Sequence, residues 1–272
     1  DQAGKVTADV QDDKTGSYFE STADVVERIV TTAAGFTSDD YDAATFLAVD
    51  TANSSAIGLY SGLEARTIGS LLSEAMDGVG GWWTFNREGV LELGIRALPT
   101  EADTVLTNKQ IREGGLRRLA SPAPVTRITT AYRPYELTQT PDNLAGALDE
   151  DVKADLGQKW RYALTNLDPT IAARWPDAKP AERNSVFDSD RAALTEARRQ
   201  FAIDRYPQDV WEVPLVEGLF QYWIGTSMTL DIGRFGLDGP GAPKPSYWIV
   251  GAIVEDAAAD QITLELWGVR NV

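Results

Sequence analysis

WEVPLVEGLFQYWIGTSMTLDIGRFGLDGPGAPKPSYWIVGAIVEDAAADQITLELWG, residues 211–268, is the stretch that decides the fold. Within it Met228, Leu230 and Ile232 alternate with Thr229, Asp231 and Gly233, the period-two pattern of a strand with one buried face. A loop rich in glycine and proline follows at 236–245. Tyr247 to Val254 is apolar on both faces, which predicts a strand central in its sheet. An acidic and alanine-rich link over 255–260 leads to Ile262, Leu264 and Leu266, alternating with Thr263, Glu265 and Trp267. Three adjacent strands joined by short links read as an antiparallel meander, the seed of a small barrel or sheet. Such a scaffold names no function.

Upstream of it, Ser189 to Tyr206 reads as a helix with Ser189 as N-cap. Ala193, Leu194, Ala197 and Phe201 face inward, Arg198, Arg199 and Arg205 form the solvated face, and Pro207 ends it. Residues 133–187 are polar and broken by Pro134, Pro141, Pro169, Pro176 and Pro180. Trp160, Tyr162 and Trp175 want cover, so this stretch is expected to be an extended arm packed on a neighbour. VTRITTAY (125–132) is a β-branched strand, and 99–124 is a connection with a basic cluster at Arg112, Arg117 and Arg118.

WWTFNREGVLELGIRAL (82–98) is a hairpin turning at Asn86–Gly89. Before it, Ile68, Leu71, Leu72, Ala75, Met76 and Val79 mark an amphipathic helix over 66–78. Residues 36–55 are turn-rich, and Asp39, Asp40 and Asp42 lack the spacing of a calcium loop, so they read as a solvated loop or a helix start. From Ser21 a helix places Val25, Val26, Ile29, Val30 and Ala33 on one face, with Ser21 and Asp24 as a capping box and Gly35 as its stop. KVTADV (5–10) is a plausible first strand. The element order predicts an α+β chain. A small α/β domain (21–98) is inserted into a β-barrel-like domain made of 1–20 and 99–272, with the extended arm at 133–187. The terminal strands form the second half of a split barrel whose first half includes 5–10 and 125–132.

Composition prunes the chemistry. The 272 residues contain no cysteine and no histidine. Thiol nucleophiles, disulfides, Ser-His-Asp triads and His- or Cys-ligated zinc are thereby excluded. Carboxylate chemistry, Lys or Arg chemistry and carboxylate-bound Mg²⁺ or Ca²⁺ remain. No carboxylate pair stands out in apolar text; Glu150, Asp151, Asp188 and Asp190 all sit among polar residues. The glycines of GRFGLDGPG (233–241) lie between strands with no following helix, which fails the context of a phosphate loop. The expectation is therefore no enzyme, with no catalytic, cofactor-binding or metal-ligating residue assigned and no cofactor.

Net charge is −16, which opposes binding to phosphate backbones and anionic membranes. Its plain reading is solubility, and its sharper one is an acidic lining past which nucleic acid slides. No apolar run approaches 18 residues. The chain opens DQAGKVTADV without a signal-peptide pattern or an initiator Met, and reads as a fragment or a processed product. Trp82, Trp83 and Phe85 could form a sugar platform, though aromatics on a short strand beside helices are more often core.

Four stretches carry a resemblance. GKVTADVQDDKTGSYFESTADVVERIV is similar to the segment by which tailed-phage hub proteins enter their inserted domain, and SLLSEAMDGVGGWWTFNREGVLELGIRAL resembles the helix and hairpin of that insert. LTEARRQFAIDRYPQDVWEVPL and IGTSMTLDIGRFGLDGPGAPKPSYWIVGAIVEDAAADQITLELWG resemble its closing helix and barrel strands. The resemblance covers most of the chain, least over 100–185. It lies in the order and spacing of short motifs. It implies a tail-tip or baseplate hub protein, a virion component assembled in the bacterial cytoplasm. Such hubs form a homotrimeric ring at the distal end of the tail tube, and DNA passes through it without specific binding.

The implied partners are the tail tube or distal tail protein and a tail fibre or spike, with no membrane bound by this segment. Relatives occur in contractile secretion machines and gene transfer agents. Hubs of this family carry a further N-terminal barrel, and nothing before residue 5 supplies one, which implies part of a longer hub or a reduced form. Two rivals stand beside this reading. One is a carbohydrate-binding or carboxylate-based glycan-hydrolysing domain, resting on eight Trp and nine Tyr. The other is a secretion-system spike-base protein of the same architecture.

Overall fold

The computed structural model describes residues 20–59, 66–102, 104–134, 138–140, 144, 148–216, 221–235, 237, 239, 246–256 and 261–269. The expected strand at 5–10 and most of the loop at 236–245 lie outside the described residues. The chain is α+β and separates into two compact units. The first holds the described residues of Asp1–Ile95, Ala131–Arg161 and Asn184–Ala193; the second holds those of Arg96–Thr130, Tyr162–Arg183 and Leu194–Val272.

In the first unit, α1 (Thr22–Ile29) starts where the sequence sets a reciprocal cap. The Ser21 hydroxyl accepts from the Asp24 backbone N–H at 3.2 Å, and the Asp24 carboxylate accepts from the Ser21 N–H at 3.4 Å. The helix runs on through one π-helical turn, Val30–Ala34, and Gly35 stops it at φ +74°. Thr22, Ala23, Val26 and Val30 are the buried residues, whereas Ala33 is exposed. The inward face is thus rotated toward Thr22 and Ala23 from the expected one, and the π turn beyond it changes the phase only at its own residues, Ala33 among them.

Asp42 caps α2 (Ala43–Ala52) by accepting from the Ala44 N–H at 2.9 Å. Thr67 caps α3 (Ile68–Gly78), whose Leu72, Ala75 and Met76 are buried along with Val79 just beyond it. The hairpin forms as read, pairing β1 (Gly81–Phe85) with β2 (Leu91–Ile95). Its turn closes through Asn86, whose side-chain oxygen accepts from the Glu88 and Val90 N–H groups, while Gly89 takes φ +82°. Helix α3 packs on β1 and α2 on β2, so three helices serve a two-stranded sheet. Main-chain bonds from Gly58 to Val186, from Ser185 to Ala131 and from Arg133 to Phe187 tie distant segments into this unit.

The second unit is built on a six-stranded, curled half-barrel in the order β3-β9-β10-β11-β8-β4. Its strands are β3 (Val105–Thr107), β4 (Arg117–Ala120), β8 (Gln208–Pro214), β9 (Ser227–Asp231), β10 (Tyr247–Asp256) and β11 (Gln261–Val269). The meander β9-β10-β11 is antiparallel as expected; β3 alone pairs parallel, with β9. Met228, Leu230, Trp248, Val250, Leu264 and Leu266 fill its core, all 3% exposed or less. The segment 99–124, expected as a connection, instead supplies both end strands of the sheet. β10 is not apolar-buried throughout. Its β9 partners end at Ile249, and beyond them Val254 is 66% exposed.

One expectation is overturned. VTRITTAY forms β5 (Val125–Tyr132) but does not join the half-barrel; it lies between β6 (Arg161–Leu164) and β7 (Lys179–Asn184) in a separate three-stranded sheet. Within 133–187, expected as an extended arm, the described residues form α4 (Glu150–Leu156), β6, α5 (Pro169–Arg174) and β7. These elements are four to seven residues long, too short to print a period. Asp168 caps α5, with Pro169 in its first turn, so a proline that looked like a breaker is a starter.

Candidate functional site

The densest charged constellation among the described residues lies along α6 (Asp190–Asp204). The Ser189 hydroxyl accepts from the Ala192 N–H at 3.4 Å at its start. Ala193 and Ala197 are fully buried, and so is Glu196; Gln200 and Asp204 are each 5% exposed. Glu196, Gln200 and Asp204 stand four residues apart and therefore share one face. Arg199 Nε donates to Glu196 Oε2 at 2.9 Å and its Nη2 to Oε1 at 2.6 Å, while Gln200 donates to Oε1 at 2.8 Å. Arg199 also reaches the carbonyl of Arg96.

One turn further on, Asp204 Oδ1 receives Arg96 at 2.6 Å and Gln208 at 3.1 Å, and Oδ2 receives Arg183 at 2.8 Å. Arg96 donates to Gln208 Oε1 at 2.7 Å and lies over the Trp267 ring at 4.9 Å. A carboxylate with both oxygens occupied by charged donors is neither a base nor a nucleophile in waiting. This network fastens α6 to the chain at Arg96 and to β7, β8 and β11. Arg199, expected on the solvated face, belongs to it, while Arg198 and Arg205 are exposed as expected. The missed signal was available: Glu196 and Gln200 fall on the same helical face as Ala193 and Ala197.

The other candidates resolve one by one. Asp40 accepts from the Thr37 N–H at 2.7 Å and its hydroxyl at 2.8 Å; these bonds hold its carboxyl below the ordinary range. Asp42 is a cap, and Asp39 is exposed. No group of metal-ligating side chains occurs among the described residues. Glu150, Asp151, Asp188 and Asp190 are exposed.

Trp83 donates to Ser73 at 3.1 Å and meets Phe85 edge-on, while Trp82 lies across Gly94, where any β-carbon would clash. Phe85 is 46% exposed, yet none of the eight tryptophans is exposed: Trp211 and Trp248 are buried and the rest half-buried. That leaves no open tryptophan platform for a sugar ring. Arg117 forms a bidentate pair with Glu212, and Arg118 lies 3.8 Å from Asp209. The described residues Ile232 to Phe235 and Leu237 bond as a turn, with Ile232 N–H donating to the Leu237 carbonyl at 3.0 Å. At its tip Phe235 adopts φ +61° and is 66% exposed, its ring 5.8 Å from Trp211. No helix among the described residues is long and apolar enough to cross a membrane.

No family model matches the chain, and no curated protein matches it by sequence. Solved structures do share its architecture. A chain in the virion of a native gene transfer agent particle matches over 91% of this chain and 47% of its own length, at 18% identity and a TM-score of 0.51. The tail protein from Neisseria meningitidis MC58 matches over 91% of this chain and 66% of its own, at 11% identity and a TM-score of 0.51. At such identities the likeness establishes a common fold. The chain spans about half the length of the first relative and just under two thirds of the second.

Proposed function

We propose that this chain is a structural component of a phage-type tail, acting by assembly and not by catalysis. The observation that carries the reading is the shared fold. The nine-tenths of the chain that superpose on a virion chain include the order of elements whose motifs resemble tail hubs. In its finer form the proposal places the chain in the tail-tip or baseplate hub. There it forms a ring at the distal end of the tail tube, links the tube to a fibre or spike, and lets DNA pass without binding it. The ring is a homo-oligomer, with a trimer favoured. The segment 21–98 is an insert in the ring-forming remainder, and subunits assemble in the bacterial cytoplasm before entering the virion. The charge of −16 supports a channel wall that repels DNA phosphates.

Antibody labelling of tail-bearing particles from producing cells tests the reading. Label at the distal end of the tail is expected. Particles with complete tails but no trace of the chain by mass spectrometry would overturn it. For the acidic lining, the expected result is a channel face more negative than the outer rim in a structure of the assembled ring.

A further inference from the structure

The turn after β9 carries two unfavourable features at one residue. Phe235 holds φ +61°, a left-handed backbone that a residue with a β-carbon adopts under strain, whereas Gly233 takes φ +68° freely. Phe235 is also the most exposed aromatic side chain among the described residues, at 66%. Its ring lies 5.8 Å from that of Trp211, so one side is supported from within and the rest is offered to water. Strain kept at an exposed aromatic marks a residue that acts outside its own fold.

Charge says what that ring fits. The Arg234 guanidinium lies over it at 5.3 Å and meets no carboxylate among the described residues. Arg118, the register partner of Trp211, adds an exposed guanidinium, 3.8 Å from Asp209. An aromatic knob framed by guanidinium groups suits an acidic partner, and at net charge −16 a second copy is one. Helix α4 has the matching surface. None of its residues is buried, and seven residues make a marginal helix without cover. Leu148 and Val152 are 36% and 42% exposed, and between them in the chain stand the exposed Glu150 and Asp151. Lys153 pairs with Glu150 at 2.7 Å, yet leaves the Glu150 side chain 89% exposed.

We infer that the Phe235 turn of one copy docks on α4 of a second copy, Phe235 against Leu148 and Val152, and Arg234 toward Glu150 and Asp151. The phenyl ring and two aliphatic side chains leave water together, while opposite charges set the orientation. The two surfaces differ, so the contact is heterologous and repeats from copy to copy. This inference rests on the homo-oligomer of the tail reading and supplies the contact between its copies.

Sedimentation of full-length chains tests the contact. The parent is expected to self-associate, and Phe235→Gly to weaken association at least roughly tenfold. Its melting temperature should stay within about 4 °C of the parent's or rise, because relief of strain offsets the lost ring contact. A larger fall would show that the ring serves its own turn, and overturns the docking role. Leu148→Glu with Val152→Glu removes the other surface and should weaken association as much. Mixed, these two variants should form a two-chain species and nothing larger, since one intact knob and one intact α4 remain. Arg234→Glu should also weaken association, and adding Glu150→Lys with Asp151→Lys to the same chain should restore it. A parent that stays monomeric at every concentration overturns the contact, as does a mixture without the two-chain species or either variant assembling like the parent. Binding to another acidic tail component that ignores the α4 changes overturns it too. Particles that carry the chain while the mixture stays monomeric sink this contact and spare the tail reading. Particles that lack the chain sink the tail reading whatever the mixture shows.

Discussion

Helices α3 and α6 bury their inward faces by opposite means. α3 does it with hydrocarbon: Leu72, Ala75 and Met76 are 2% exposed or less. α6 places Glu196, Gln200 and Asp204 inward between alanines, each bound to charged or amide partners. An apolar stripe tolerates small shifts, because dispersion has no preferred direction. An ionic stripe fixes one rotation and one height of its helix, since each carboxylate must meet its guanidinium. The first arrangement supplies stability; the second supplies position.

Removing one partner separates the two arrangements most sharply. Glu196→Ala leaves the Arg199 guanidinium without its counter-charge beside the helix and should cost about 3–5 kcal/mol. Amide exchange, which reads each region by itself, should rise in α6, β8 and β11. Replacing both members, Glu196→Met with Arg199→Leu, should recover most of that loss, to within about 2 kcal/mol of the parent, because no buried charge is left unpaired. A double variant no better than Glu196→Ala would show that the network stabilises the unit instead of orienting it.

On the apolar side, Leu72→Ala should cost about 3 kcal/mol through the lost burial and the cavity it leaves. Exchange should rise in α3 and its hairpin and stay unchanged in β8 and β11. Ser21→Ala removes one half of the α1 cap and should cost about 1 kcal/mol. Its expected trace is faster exchange confined to the first turn of α1, near Asp24.

The same contrast explains what could be read in advance. α3, the β1–β2 hairpin and the β9–β10–β11 meander announce themselves because their periods are local and their buried residues apolar. The polar stripe of α6 was visible as letters but not as a face, since Glu196 and Arg199 side by side also describe a solvated helix. Only the partners supplied by Arg96 and Arg183 to Asp204 distinguish the cases, and neither is local to it in the chain; Gln208 stands four residues on, yet a glutamine there suits either reading. VTRITTAY was recognisable as a strand, yet strand partners are set by chain pairing across dozens of residues. Both edges of β5 go to segments that carry proline and too few apolar residues to show a strand. β3 and β4 were hidden in the same way, three and four residues long.

The smallest effect reaches the comparison through pH. Two tyrosines in the first unit are held protonated beyond the ordinary value of 10.0. The Tyr41 hydroxyl donates to Glu27 Oε1 at 2.6 Å, and that bond, with burial, raises its pKa; burial and then the Asp190 charge raise that of Tyr132. A pKa raised on folding means that the folded state favours the proton. The resulting stabilisation is complete below about pH 10 and is lost as pH climbs through the raised values. Asp40 in the first unit and Asp168 in the second have lowered values, so their contribution is present above about pH 4 and fades as acid is added through the lowered values. Acid should therefore loosen both units, whereas alkali should act first on the one that holds Tyr41 and Tyr132. Tyr41→Phe should flatten the fall in melting temperature between about pH 9 and 11 while leaving the acid limb as it was. An unchanged alkaline slope would place the sensitivity elsewhere, outside the Tyr41–Glu27 bond.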